Sequence, residues 1–146
     1  MQNETLFLEA IRRFLSIYRY MRRYSRQVQA EGLSGREVSI LRHILNTGAL
    51  TIGQCRDYLF ISDSSTSELI AHLEQTGFVS RTRGQIDNRQ VVVALTAEGR
   101  KAARAITPGG IPLLREKLKA LPQEKLQRIN TVLGELVELL EVRDEA

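Results

Sequence analysis

The hydrophobic pattern of this chain switches period at one place, and that switch restricts the folds open to it. Residues 78–83 and 91–95 are rich in β-branched side chains, which is typical of strands. The polar residues 84–90 lie between them and fit the turn of a hairpin. Elsewhere apolar residues recur every three or four positions, as they do along amphipathic helices. The sequence therefore predicts a mainly α fold with a small β-hairpin.

Short helices are predicted immediately before the hairpin. Ser34 with Glu37 and Thr51 with Gln54 match the capping-box pattern, in which each side chain bonds the backbone amide of the other residue. A further helix over 62–76 has an apolar stripe on one side and polar side chains on the other. Two short helices in succession, the second with a polar outer face, are typical of a helix-turn-helix.

Apolar helices are also predicted at both ends of the chain. Residues 4–30 read as one long helix, and the last helix repeats leucine and isoleucine more often than a lone helix needs. A second copy of the chain is the simplest cover for such surface. We therefore predict a single domain, 1–146, in which helices at about 4–31 and 105–143 form a homodimer. Two Pro and two Gly within 107–112 interrupt the second region.

Charge and composition narrow the possible functions. The 146 residues carry a net charge of +4, with the positive excess in the first two-thirds, which weakly favours an anionic partner. The arginines of the first helix either form a solvated face or contact phosphates or an acidic ligand. No run of about 18 apolar residues occurs, so no membrane span is expected. With Cys55 as the single cysteine, no internal disulfide is expected, and a cytoplasmic location is the default.

Catalytic and cofactor motifs are missing from the sequence. It contains no nucleophile elbow, no P-loop, no H-E-x-x-H and no glycine-rich dinucleotide fingerprint. His43, His72 and Cys55 are not spaced like a metal-ligand cluster. We therefore expect a protein that is not an enzyme and that needs no cofactor. A winged helix used only for protein contacts is the alternative class, and the basic hairpin argues against it.

The stretch from the hairpin to the following helix resembles the MarR family of bacterial regulators. The family pattern is G-[LF]-V-x-R, a wing with D-x-R, and a strand ending L-T-x-x-G-R. The residues that match at the family spacing are Asp87, Arg89, Leu95, Thr96 and Gly99. The resemblance implies a winged helix-turn-helix lobe, at about 34–104, within an α-helical dimer. It also implies a repressor that binds pseudo-palindromic double-stranded DNA and is released by a small aromatic or anionic effector.

The helix over 62–76 is predicted to read the major groove, because it carries short polar side chains on its outer face. Serine hydrogen-bonds to more than one base, and glutamate accepts from cytosine N4. The alternative is a structural role, in which the serines only cap and solvate the start of the helix. The candidate base-contacting residues are Ser64, Ser65, Ser67, Glu68 and His72.

The wing is predicted to reach a minor groove, whose negative potential attracts arginine. The resemblance assigns this contact to Arg89, with Asp87 orienting it through a salt bridge. An ordinary surface ion pair is the alternative. Arg81 and Arg83 are expected to contact phosphates or the acid of the wing itself.

The effector cleft implied by the family would lie between the dimer helices and the DNA-binding lobe. Tyr18, Tyr24 and His43 are the candidate lining residues, although ordinary packing is the simpler interpretation of His43. Cys55 occupies a buried helical position, so a core role is favoured over a redox-sensing one. Phe60 and Glu68 depart from the common family pattern, and Glu68 bears on base preference.

Overall fold

The computed structural model describes residues 1–84, 87 and 89–143. Seven helices and three short strands follow one another along these residues. In chain order they are α1 Gln2–Ala30, α2 Gly35–Thr47, β1 Leu50–Thr51, α3 Ile52–Leu59, α4 Asp63–Gln75, β2 Val79–Arg83, β3 Val91–Leu95, α5 Ala97–Ala105, α6 Gly110–Lys119 and α7 Gln123–Leu139.

Both predicted capping boxes form and set the starts of α2 and α3. The Glu37 amide donates to Ser34 Oγ at 3.2 Å, and the Ser34 amide donates to the Glu37 carboxylate at 3.3 Å. The Gln54 amide donates to Thr51 Oγ1 at 3.1 Å, and the Thr51 amide donates to the Gln54 side chain at 2.9 Å. Each box satisfies amides that the first helical turn leaves without a carbonyl partner.

The wing is a three-stranded antiparallel sheet in the order β1-β3-β2. In its register Val79 faces Leu95, and Leu50 faces Val93. The hydrophobic pattern of the sequence predicted the hairpin of β2 and β3 but did not predict β1. A two-residue strand is too short to show a period of two, so Leu50 and Thr51 carried no signal of their own.

The core lies between α2, α3, α4, α5 and the sheet. Ile40, Leu41, Ile70 and Leu73 are fully buried there. At the join of sheet and α5, the backbone passes so close that a Cβ on Gly99 would lie 1.9 Å from the carbonyl oxygen of Phe78. The glycine of the L-T-x-x-G-R motif is therefore required by packing.

The Pro- and Gly-rich segment between α5 and α6 packs on α1. Tyr24 Oη donates to the Thr107 carbonyl at 3.1 Å, and the Gly110 amide donates to Tyr20 Oη at 2.9 Å. Cβ atoms on Gly109 and Gly110 would lie 2.4 and 2.5 Å from the Tyr24 ring. The break is real, but helix resumes at Gly110, earlier than the predicted position near 113, because Pro112 fits the first turn of a helix.

Two long helix faces remain without cover in the isolated chain. None of the residues of α7 is buried, and the N-terminal half of α1 presents large apolar side chains to solvent. On α1 the exposed apolar residues are Leu6, Phe7, Leu8, Ile11, Phe14, Ile17, Tyr18 and Tyr20, and on α7 they are Leu126, Ile129, Val132, Leu133, Val137 and Leu139. In the part of the chain that the structure describes, no helix is long and apolar enough to span a membrane.

Candidate nucleic-acid interface

Helix α4 is fixed by burial of one face, which leaves the opposite face in solvent. Thr66, Ile70 and Leu73 are buried. Since each residue turns the helix by about 100 degrees, Ser64 and Glu68 lie opposite that buried face. Both side chains are exposed, so they are free to contact a partner.

The serines at the start of α4 also bond to one another. Ser62 is the N-cap, and its Oγ accepts from the Ser65 amide at 3.2 Å. Ser62 Oγ lies 3.0 Å from Ser65 Oγ and 3.2 Å from Ser64 Oγ. Ser65 is partly buried and takes part in the N-cap of α4 through its amide, which agrees with the alternative that this serine only supports the start of the helix. Ser64 and Ser67 are exposed.

His72 is tied to α2, a contact that the sequence did not indicate. Its Nδ1 lies 3.0 Å from Oε2 of Glu37, the residue whose other carboxylate oxygen completes the capping box of α2. Glu37 is nearly buried, while about half of the His72 side chain is exposed. His72 therefore links α4 to the start of α2 and keeps one edge open to solvent.

The arginines of the wing differ from expectation in one respect. Arg81 Nε lies 3.7 Å from Oε2 of Glu74, so it pairs with the last turn of α4 rather than with the acid of the wing. Both side chains are more than a third exposed, and such a pair contributes little stability. Arg83 is exposed at the end of β2.

Backbone amides form hydrogen bonds among the described residues near the tip of the wing. The Arg89 amide donates to Asp87 Oδ1 at 2.9 Å, and the Gly84 amide donates to the Gln90 carbonyl at 2.8 Å. Asp87 therefore shapes the turn by accepting a hydrogen bond from the Arg89 backbone amide, and its salt bridge with the Arg89 side chain stays a prediction. The Arg89 side chain is exposed. Residues 85, 86 and 88 of the predicted turn lie outside the described residues.

A cavity of about 760 Å³ lies between α1, the start of α2, α4 and α6. Tyr24 lines it, as do Glu68 and His72 of α4 and the cations Arg36 and Arg115. The other two predicted cleft residues lie elsewhere.

Tyr18 is half exposed on α1 and stacks on Phe14, and His43 stacks on Tyr58. Sequence reasoning missed Arg36 and Arg115, because only the tertiary fold brings α2 and α6 to this cavity.

Burial shifts the pKa values of His43, Tyr24 and Cys55. Burial lowers the pKa of His43, and the nearby Arg115 and Lys119 lower it further. Burial raises the pKa of Tyr24, partly offset by Arg42. Burial also raises the pKa of the Cys55 thiol to about 11. The fully buried thiol is therefore protonated at neutral pH, which favours the core role predicted for it.

The helix-turn-helix and its wing coincide with a known family of regulators. Residues 23–106, more than half of the chain, match the model of the family described as transcriptional regulator SarA/Rot. The chain belongs to this family. Since SarA/Rot proteins are transcriptional regulators, the expectation that the chain is not an enzyme is confirmed, as is the winged-helix, MarR-type fold.

One sequence relative and two solved structures are similar to this SarA/Rot-family chain, and the two structures show the shared fold. The HTH-type transcriptional regulator YfiV of Bacillus subtilis (strain 168) is 31% identical over 105 residues, which cover 72% of this chain and 66% of YfiV. The MarR family regulator AbsC of Streptomyces coelicolor shares 22% identity, with a TM-score of 0.63 over 90% of this chain and 92% of AbsC. Reduced AbfR, solved bound to DNA, shares 21% identity, with a TM-score of 0.57 over 97% and 100% of the two chains.

Proposed function

We propose that this SarA/Rot-family chain is a homodimeric repressor that binds pseudo-palindromic double-stranded DNA in the cytoplasm. The observation that carries the proposal is the exposed face of α4, which carries Ser64, Ser67 and Glu68, on a helix whose last turn pairs with Arg81 of the basic wing through Glu74. A helix of this kind fits the major groove, and Arg89 at the wing tip reaches the neighbouring minor groove. DNA as the partner is supported by AbfR, a protein of the same fold that was solved bound to DNA.

The exposed faces of α1 and α7 support the dimer. Several large apolar side chains stand in solvent on each helix, including Phe14 and Leu133, which are each about half exposed. Burying apolar area stabilises by about 25 cal/mol per Å², so a second copy that covers both helices gains substantial free energy. In this proposal the lobe at about 34–104 binds DNA, and the helices at about 4–31 and 105–143 hold the two copies together.

The cavity beside α4 supports control by a small effector. Its walls combine apolar side chains, such as Met21 and Leu69, with the cation Arg36. A ligand with an aromatic body and an anionic group suits these walls. Since Glu68 and His72 line the same cavity, an occupant would contact the DNA-reading helix directly.

Selection of bound sequences from random duplex DNA tests the proposed function. We expect the wild-type chain to enrich a pseudo-palindrome, with affinity that falls steeply as salt rises. A heparin column run in parallel separates a DNA-binding protein, which elutes late, from a module that contacts only proteins. Failure to enrich any sequence, together with early elution, would contradict the proposal.

A further inference from the structure

Arg115 of α6 reaches across to the end of α3. Its guanidinium carbon lies 3.8 Å from the centroid of the Tyr58 ring. Its Nη2 also donates to the Tyr58 carbonyl at 2.6 Å. One side chain therefore binds both the ring and the backbone of the same residue, one position before α3 ends at Leu59.

The opposite face of the same ring is covered by α2. The rings of His43 and Tyr58 are parallel within 6° and their centroids are 3.7 Å apart, which leaves the guanidinium to the other face. The lowered pKa of His43 favours the neutral imidazole in this stack. His43, Tyr58 and Arg115, here called the Tyr58 stack, thus join α2, α3 and α6.

The Tyr58 stack lies next to the turn that directs α4. Phe60 follows α3 in the left-handed conformation, at φ 55° and ψ 43°, and its ring is 5.4 Å from the Arg115 guanidinium. Left-handed backbone is unfavourable for residues other than glycine, so neighbouring contacts must hold it. Ser62, the N-cap of α4, comes two residues later. The direction of α4 therefore depends on a turn that Arg115 contacts.

Arg115 holds this position at a cost. Its Nε is buried and has no hydrogen-bond partner within the described residues. A buried donor without a partner is unfavourable and calls for an explanation. The contacts of the same guanidinium with the ring and the carbonyl of Tyr58 offset this cost.

We propose that Arg115 is a positioning residue that couples α6 to the DNA-reading direction of α4 through Tyr58 and the Phe60 turn. The inference rests on the proposed function, in which α4 reads DNA. Arg115 itself makes no DNA contact in this scheme. Movement of α6, which leads into the proposed dimer helix α7, would then change DNA affinity by moving the turn.

DNA binding by three full-length variants tests the proposal. Arg115→Gln removes the charge and the stack, Arg115→Lys keeps the charge without a planar guanidinium, and Lys117→Gln removes one exposed charge from the same helix. We expect both Arg115 variants to bind selected DNA at least tenfold more weakly and Lys117→Gln to bind within twofold of wild type. The salt slope should stay unchanged in all three. Wild-type affinity in Arg115→Lys would overturn the proposal, as would a slope flatter by about 0.9 in Arg115→Gln, the sign of a lost phosphate contact.

Amide hydrogen exchange in the free protein tests the same coupling without DNA. The amides of Ser65 and Thr66 bond to Ser62, so they report on the start of α4. We expect them to exchange at least tenfold faster in Arg115→Lys, with unchanged protection in the core of α2. Unchanged exchange at Ser65 and Thr66 would overturn the proposal. If wild type binds no DNA, the proposed function fails, and this experiment still decides whether Arg115 positions α4.

Discussion

At the scale of single residues, Arg89 and Glu68 stand on different parts of the proposed interface. Arg89 is exposed at the wing tip, where a minor groove offers little base information beyond A·T against G·C. We expect Arg89→Ala to weaken binding to operator and scrambled DNA alike and to flatten the salt slope by about 0.9. Fluorescence anisotropy at two salt concentrations measures both. Arg143→Ala, an exposed arginine beyond α7, is the matched control. Unchanged affinity in Arg89→Ala would remove the wing from the mechanism.

Glu68 contributes base discrimination if it accepts a hydrogen bond from cytosine. It is exposed opposite the buried face of α4, where a carboxylate can reach base edges. We expect Glu68→Ala to cost about 1–3 kcal/mol on the operator and to relax the preference at one base pair. Titration against operator variants measures this. Tighter binding to every sequence would show instead that the carboxylate only repels nearby phosphates.

The titration of His43 makes stability depend on pH. Burial, Arg115 and Lys119 lower its pKa in the folded state, so the unfolded chain binds the proton more readily. The contribution of neutral His43 to the free energy of unfolding is fully present above the unfolded pKa of about 6.5. It is lost as pH falls from there through the lower folded pKa. We expect the melting temperature to fall between pH 7 and pH 5, and to fall less in His43→Phe. Equal pH dependence in the two proteins would contradict this assignment.

At the scale of elements, the join between the sheet and α5 tolerates no side chain at Gly99. A Cβ there would lie 1.9 Å from a backbone oxygen of Phe78, so β2 and α5 would have to separate. We expect Gly99→Ala to lower the free energy of unfolding by about 3 kcal/mol, the upper range for overpacking. Gly35→Ala is the control, since nothing lies within 4 Å of its Cβ position. Urea denaturation compares the two, and similar midpoints would contradict the close approach.

Which elements could be predicted from the sequence depended on how local their causes are. The capping boxes at Ser34 and Thr51 placed α2 and α3 correctly, because a cap and its partner are three residues apart. The hairpin could also be predicted, because its β-branched runs and polar turn are neighbours in the sequence. The pairing of Arg81 with Glu74 and of His72 with Glu37 joins separate elements, so no periodicity revealed it. Arg115 was missed for the same reason.

At the scale of the whole molecule, a charge introduced on α7 tests the proposed homodimer. Leu133 is half exposed in the isolated chain, and a charge there would be buried in the proposed interface. We expect Leu133→Glu to shift the chain from dimer to monomer at micromolar concentration and to weaken operator binding strongly. Glu135→Lys, on the opposite side of α7, should leave the dimer intact. Sedimentation measures the state, and a monomeric wild type would refute the assembly.

The proposed symmetry also fixes operator geometry. Two α4 helices related by a two-fold axis need half-sites about 10 base pairs apart, or a multiple of that spacing. Inserting five base pairs between the half-sites should place them on opposite sides of the duplex and abolish tight binding, while ten should restore part of it. Equal binding to all three spacings would indicate that each chain binds independently.

The packing of Tyr24 against Gly109 and Gly110 has a consequence for the evolutionary record. The aromatic ring occupies the space that side chains at 109 and 110 would need. Relatives that keep an aromatic residue at position 24 should therefore keep both glycines, and relatives with a small residue there should be free to vary them. Tyr24 also bonds to Thr107, which lies 83 residues further along the chain, so the two contacting segments are far apart in sequence. Positions 24, 109 and 110 should nevertheless change together across lineages.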